Sequence, residues 1–417
     1  MTGADDGSGG DGIRRVLAAL RVPNFRRYFA GQAVSLSGTW MQRVAQSWLV
    51  LDLSDSGTKV GIVVGLQTIP VVLIAPLAGL VADRTDKRRL IEAVQWVMSA
   101  LAGALALLTL TGVVEYWHVC ALALALGVAS TFEMPARQAF LVEMVGEAEL
   151  TNAIGLNSAL VNLARSAGPV AAGLVIEQAG TGMCFAVNAV SFLGVIALLR
   201  SLDESALLPP ERAPKARGQI AETAALIRVD PSLAAPLAMI LLIGCVAYEF
   251  EVTLPVLAAR TFAAGPTAYG FMTAAMGAGA VVGGLVTAGH ATTGLKPLAP
   301  AAVVFAAAMA LTAAAPTLTT CYMALGVLGA VAMRFVILCN ATLQLAAPAG
   351  SRGRVLSLWQ AAYIGSRTAG GPAVGVIAQH AGARWAFAAG AAACLAAAAI
   401  GWKAARDSHR QGPPPRD

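Results

Sequence analysis

Twelve stretches of about 20 mostly apolar residues, separated by polar or Pro/Gly-rich breaks, divide residues 28–403 of this chain. The hydrocarbon core of a bilayer, about 30 Å thick, takes about 20 such residues per helix, and within it each backbone N–H and C=O must be satisfied inside its own segment. The pattern predicts an all-α integral membrane protein. Its spans are expected at 28–52, 60–82, 90–111, 115–134, 152–177, 183–200, 234–257, 268–289, 297–315, 318–341, 355–379 and 384–403. Composition agrees: 57% of residues are apolar and only 12% charged, with mean hydropathy +0.68, against about a quarter charged in a soluble domain. The 43 glycines suit close helix packing in lipid.

Charge sorting sets an orientation. Lys and Arg are retained on the cytoplasmic side, and with the N-terminus inside, 22 of the 29 basic residues fall in cytoplasmic segments. Only Lys59, Arg260 and Arg384 fall outside, while Arg43, Arg165, Arg334 and Arg367 lie within spans. Both termini are expected in the cytoplasm, and the protein in the inner cell membrane. Residues 1–13 are polar and lack the layout of a cleavable signal peptide. The net charge of +6 comes without a basic stripe interleaved with aromatics, so no nucleic-acid partner is expected.

The chain also divides in two. Residues 201–233 form the longest internal loop, with Pro209, Pro210 and Pro214 beside Arg212, Lys215 and Arg217, then an amphipathic stretch from Gln219 to Arg228. RSAGPVAAGLVIEQAG at 165–180 aligns without gaps to RTAGGPAVGVIAQHAG at 367–382, with seven identities in sixteen positions. GLVA at 79–82 lies over GLVT at 284–287, and RVPNF at 21–25 near RVDPSL at 228–233, at almost the same offset. Two parallel six-helix repeats follow: a tail at 1–26, a bundle at 27–201, a linker at 202–233, a second bundle at 234–404 and a tail at 405–417.

No catalytic machinery is visible. Cys120, Cys184, Cys245, Cys321, Cys339 and Cys394 all lie in apolar segments without metal-ligand spacing, and the four histidines are scattered. No metal, cofactor or enzymatic activity is expected. GAGAVVGG at 277–284 imitates a dinucleotide loop but sits inside an apolar span, where close helix packing accounts for it.

GLVADRTDKRR at 79–89 resembles the signature loop of the major facilitator superfamily, Gly-x-x-x-Asp-Arg-x-Gly-Arg-Arg. Gly79, Asp83 and Arg84 occupy the expected places, Lys87 and Arg88 supply the basic pair, and Asp86 replaces the second Gly. The resemblance implies a latch holding two halves together in the outward-open state, with Gly79 admitting a neighbouring helix. Gly155, Ala164, Gly168, Pro169, Ala172 and Gly173 resemble the antiporter motif, Gly-x8-Gly-x3-Gly-Pro-x2-Gly-Gly, with Ala at two positions; an ordinary small-residue helix contact is the other reading. Further stretches, FRRYFAGQAVSLSGTWMQRVAQSWLVLDLS (25–54), STFEMPARQAFLVEMV (130–145), YEFEVTLPVLAART (248–261) and SRGRVLSL (351–358), are similar to the superfamily's bacterial exporter branch of siderophore, drug and macrolide efflux proteins. Two six-helix bundles around a central cavity, and proton-driven export of a small molecule, are what this resemblance implies.

Ionisable groups at mid-membrane cost about 2.5–3.5 kcal/mol on insertion scales, so they normally face a cavity or one another. Arg43, Glu133, Glu249, Glu251 and Arg334 lie on spans 1, 4, 7 and 10, which in the superfamily line the cavity. The repeat places Glu249 opposite Arg43 in the alignment, and Arg334 opposite Glu133, so equivalent positions carry opposite charge. An outer pair of Arg43 with Glu249 or Glu251 is expected, and an inner pair of Glu133 with Arg334. Glu133 also has Arg137 one turn along its own helix. Two residues of an ideal helix are about 200° apart, so only one of Glu249 and Glu251 should face the cavity squarely; one acid is expected to carry a proton. Gln46 shares the polar face of Arg43 with Thr39, Trp40 and Ser47. Arg165 and Arg367 hold matching places in spans 5 and 11, where a hydrogen-bonding role between helices is expected of both.

The expectation is therefore a monomeric secondary transporter that exchanges protons for a small amphiphilic molecule such as a drug, siderophore or secondary metabolite. A nutrient symporter, or a scaffold that transports nothing, are the alternatives.

Overall fold

The computed structural model describes residues 18–208, 226–228, 230–288, 293–348 and 351–411, with side chains as far as Asp407. Residues 1–17 of the expected tail at 1–26, most of the linker with most of its amphipathic stretch, and residues 289–292, 349–350 and 412–417 lie outside the described residues.

All regular structure among the described residues is helical. The helices are α1 (Pro23–Ser54), α2 (Gly57–Arg84), α3 (Lys87–Leu110), α4 (Tyr116–Ala179), α5 (Thr181–Arg200), α6 (Pro231–Val246), α7 (Phe250–Val256), α8 (Pro266–Ala288), α9 (Leu295–Ala314), α10 (Leu318–Ala346), α11 (Arg352–His380) and α12 (Ala383–Gln411). Their ends follow local chemistry. Pro23 and Pro231 open α1 and α6 at the first helical turn, where a missing N–H costs nothing. Ser56, Asp86 and Asp230 cap α2, α3 and α6 by accepting from backbone N–H groups two or three residues on.

The 64 residues of α4 are two arms, α4a (116–145) and α4b (147–179), broken at Gly146, whose φ of 68° is open to glycine without strain. The sequence placed a longer connection between spans 4 and 5. The flanking segment, EAEL, favours helix, and a single left-handed glycine suffices for the reversal.

Nine segments of the described residues are long and apolar enough to cross a bilayer, α4 counting as one and 231–261 as another. Helices α1 and α11 are not among them. Both carry many polar residues: in α1 Gln32, Gln42, Gln46 and Ser47 are all buried, and α11 contains Arg367.

The way helices from the two halves of the chain meet defines the site. Helix α2 lies along α11, and α4b along α8. Near the α1–α2 turn the backbones touch: a Cβ on Gly61 would fall 2.0 Å from the Gly371 carbonyl oxygen, and one on Gly270 2.4 Å from that of Pro169. The Oγ1 atoms of Thr68 and Thr368 stand 3.1 Å apart, and the backbone N–H of Gly57 donates to Gln379 Oε1 at 2.8 Å. At the other end, which carries the Arg84–Arg89 loop, the same helices part. A Cβ on Gly79 or on Gly155 would meet nothing within 4 Å. The expected close helix contact at Gly79 is therefore not made in this conformation. The two halves are closed against each other at the α1–α2 end, and no such contact is made at Gly79 or Gly155 towards the basic end.

Candidate cavity and charge cluster

Four charged side chains meet under the closed end. Arg43 of α1 places Nη1 3.4 Å from Glu251 Oε1, and Arg367 of α11 places Nη2 3.2 Å from the same oxygen. Arg367 Nε also stands 3.8 Å from Glu249 Oε1. Glu251 is thus shared by two guanidinium groups from opposite halves of the chain. Glu249 is 1% exposed, and neither of its carboxylate oxygens has a hydrogen-bond donor among the described residues.

Local backbone geometry brings both acids to this point. An unbroken helix would hold Glu249 and Glu251 on different faces, but α6 ends at Val246 and α7 begins at Phe250, with Glu249 at φ −86°, ψ 45° between them. That break removes the regular helical step on which the one-acid expectation rested, and both acids reach Arg367. Pro255 lies four residues after Glu251 and has no N–H for its carbonyl, and the chain then passes into a π-helical turn at Leu257–Thr261. Tyr248 secures the break: its OH donates to Ala332 O at 2.7 Å, and its ring meets Phe250, Phe305 and Tyr363 edge-on at 5.4–6.0 Å between centroids.

Trp40 lies beside this cluster with the Arg43 guanidinium 4.9 Å and the Arg165 guanidinium 5.6 Å from its ring centre. Arg165, half-buried on α4b, has no ion-pair or hydrogen-bond partner among the described residues. It lines a pocket with Tyr248, Phe250, Met276, Met333 and Tyr363. The two arginines expected to act alike therefore differ, Arg367 being engaged by two carboxylates and Arg165 by none. Gln46 is buried in α1 three residues beyond Arg43.

The inner pair is not formed here. Glu133 Oε1 is 3.6 Å from Arg137 Nη1 and accepts from Gln95 Nε2 at 3.2 Å, so it is satisfied by its own helix and by α3. Arg334 on α10 is exposed and pairs with no described residue.

In the 79–89 loop, Asp86 caps α3 by accepting from the Arg89 N–H at 2.9 Å, a role for the residue that departs from the motif. Lys87 Nζ stands 3.5 Å from Glu143 Oε1; Arg88 pairs with Glu204 and donates to Leu199 O at 2.9 Å. Among the described residues no hydrogen bond or ion pair joins Asp83 or Arg84 to the second half, and a Cβ on Gly79 would meet nothing within 4 Å, so no closed latch is seen there in this conformation. In the antiporter-like segment, a Cβ on Gly168 would meet Trp40 and Ser37 of α1 at 2.8 Å, and one on Gly173 would meet Thr267 of α8 at 2.8 Å. Pro169 meets α8 through its carbonyl, and Gly155 touches nothing.

Two contacts were not expected from the sequence. Asn188 of α5 donates to Gln42 of α1 at 2.6 Å inside the bundle. At the closed end Arg260 donates to Asp55 Oδ1 from Nη2 at 2.8 Å and from Nε at 3.2 Å, joining the π-turn to the α1–α2 corner. The only available signal for the second was that Arg260 is one of three basic residues expected on the outer side.

A family model described as "Transmembrane secretion effector" matches residues 15–410. The staphyloferrin A transporter of Staphylococcus aureus is 26% identical over 187 residues, 45% of this chain and 47% of that protein. The multidrug efflux pump Tap of Mycolicibacterium fortuitum is 31% identical over 150 residues, covering 34% and 36%. The chain spans less than half the length of each of these relatives in alignment. Among solved structures, a bacterial homologue of the lysosomal transporter Spinster, in an inward-facing and unoccupied conformation, superposes with TM-score 0.74 at 13% identity, covering 94% of this chain and 99% of that one. A bacterial ferroportin homologue in an inward-facing state gives TM-score 0.73 at 14% identity, covering 92% and 98%. These likenesses establish the fold, and the family match, which runs along nearly the whole chain, makes this protein a member of the transmembrane secretion effector family within the major facilitator superfamily.

Proposed function

We propose that this protein exports a small amphiphilic molecule across the inner membrane in exchange for protons, by alternating access. In this reading α1, both arms of α4, α6 with α7, and α11 all cross the bilayer, giving twelve passes in two bundles, 27–201 and 234–404, with both termini in the cytoplasm. The basic loops mark the open end as cytoplasmic, and the conformation is inward-facing. The efflux proteins among the relatives support the direction of transport.

The observation that carries the reading is the charge cluster. Arg43 and Glu251 come from different halves and meet in this conformation, beneath the closed end. Opening that end would separate them, and Arg367 would remain with both acids on the second half. Glu249, enclosed and without a donor, is the acid we assign to the proton, because a carboxyl group withdrawn from water can be kept there most readily in its neutral form. Glu249 would take up its proton while the outer end is open and give it up towards the cytoplasm in the inward-facing state. Asp83, Arg84 and the rest of the 79–89 loop would latch the opposite state.

The test is uptake of candidate drugs and siderophores into inside-out vesicles with an acidified lumen. Wild type should accumulate substrate, Glu249→Gln should lose accumulation driven by the proton gradient, and Glu251→Gln should lose turnover. Full activity in Glu133→Gln, Glu249→Gln and Glu251→Gln alike would refute the assignment.

A further inference from the structure

The charge cluster does not balance. Arg43, Arg165 and Arg367 surround the closed end of the cavity, whereas only Glu249 and Glu251 oppose them. One positive charge is in excess when both acids are ionised, and two when either carries a proton. A cation left over at mid-membrane is costly unless something of opposite charge visits it. The excess has an address. Arg43 and Arg367 are held by Glu251, while Arg165 has no acceptor among the described residues and turns its guanidinium towards the face of Trp40. A cation–π contact offsets part of the charge and leaves the in-plane N–H donors free.

The surroundings of Arg165 are those of a ligand pocket. Tyr248, Phe250, Met276, Met333 and Tyr363 line it with the arginine, and Trp359 stacks on Tyr363 at 5.6 Å between centroids with 13° between planes. The indole N–H of Trp359, behind this wall, is buried and has no acceptor among the described residues. Flat rings and flexible methionines accept a planar apolar body with little demand on its outline. The pocket measures about 30 Å³. One water needs about 10–15 Å³ of such space, so in this conformation the pocket holds a headgroup the size of a carboxylate, and the body of a ligand would lie outside it.

We infer that the exported molecule is an anion, a carboxylate carried on a flat apolar body, and that Arg165 is the residue that selects it by forming the ion pair it otherwise lacks. This rests on the export reading above and narrows its substrate class. It also gives the repeat-related arginines separate tasks: Arg367 holds the acids that close the cavity, and Arg165 holds the cargo.

The experiment uses the full-length protein in lipid nanodiscs and three probes with one ring system: pyrene-1-butyrate, pyrene-1-butyramide and pyrenylbutyl-trimethylammonium. Binding is read by energy transfer from tryptophan to pyrene, with empty nanodiscs subtracted. Wild type should bind the carboxylate at least about tenfold more tightly than the amide, the scale of one charge-assisted hydrogen bond, and should bind the cation least. Arg165→Gln should bring the carboxylate-to-amide ratio close to one, and Arg165→Lys, which keeps the charge and serves as the folding control, should retain part of it. A wild-type preference for the amide or the cation, binding of none of the three, or a ratio unchanged in Arg165→Gln would overturn the inference. Proton-driven uptake of the same probes into inside-out vesicles separates the two claims. Arg165-dependent anion binding without proton-driven uptake would leave anion selection standing and remove the export reading. Proton-driven uptake of neutral or cationic probes that survives Arg165→Gln would do the reverse.

Discussion

Arg165 and Arg367 stand at equivalent positions of two segments that share seven identities in sixteen residues, yet their surroundings have diverged. Arg367 faces Glu249 and Glu251; Arg165 faces Trp40 and an aromatic pocket. What separates them is the partner helix. The break in α6–α7 turns two acids towards α11, while the corresponding stretch of α1 runs unbroken through Arg43 and presents a cation. A repeat can thus preserve a residue and change its function by altering the backbone opposite it.

The contrast can be broken most forcefully by removing Arg367. Arg367→Leu leaves two acids without their shared cation, and losing one partner of a buried pair costs about 3–5 kcal/mol. The unfolding midpoint in denaturant should fall accordingly. Arg165→Leu, which leaves no carboxylate stranded, should stay within about 1 kcal/mol of wild type. Equal losses would show that the two sites are alike after all.

A smaller effect is expected from the backbone contact that closes the cavity. A side chain at Gly61 collides with the Gly371 carbonyl, whereas one at Gly79 meets nothing. Overpacking costs about 1–3 kcal/mol, enough for Gly61→Val to shift the conformational balance by about tenfold towards the state open at the far end. Disulfide trapping between cysteines at Thr68 and Thr368 should fall in that variant and should not fall in Gly79→Val. The smallest effect is expected at Arg260 and Asp55, an exposed pair despite its two hydrogen bonds. Arg260→Ala should change transport rate by about threefold or less, measured by uptake into the same vesicles.

Much of this architecture could be read from the sequence, because helix length in a bilayer is set by its thickness and the positions of basic loops by membrane insertion. The charged residues of the cavity were legible for the same reason: each is an expensive exception in an apolar segment. Their partners were legible only in part. The outer pair was expected between Arg43 and either Glu249 or Glu251, and the contact is with Glu251; that both acids also reach Arg367 could not be foreseen, since the helix is interrupted between Val246 and Phe250 without a glycine or proline to announce it. Glu133 had two candidate cations, and geometry in this conformation gives it the local one, Arg137. The clasp between Gln42 and Asn188, 146 positions apart, left no trace in periodicity or composition.

The central claim, that Glu249 carries the exchanged proton, is tested most directly by following the lumenal pH of inside-out vesicles with a fluorescent amine while a transported substrate is added. Wild type should release protons from the acidified lumen on each addition, at a rate that rises as the lumen is made more acidic. Glu249→Gln should give no proton release, and any residual substrate movement should be independent of pH. Undiminished, pH-dependent proton release in Glu249→Gln would contradict the account.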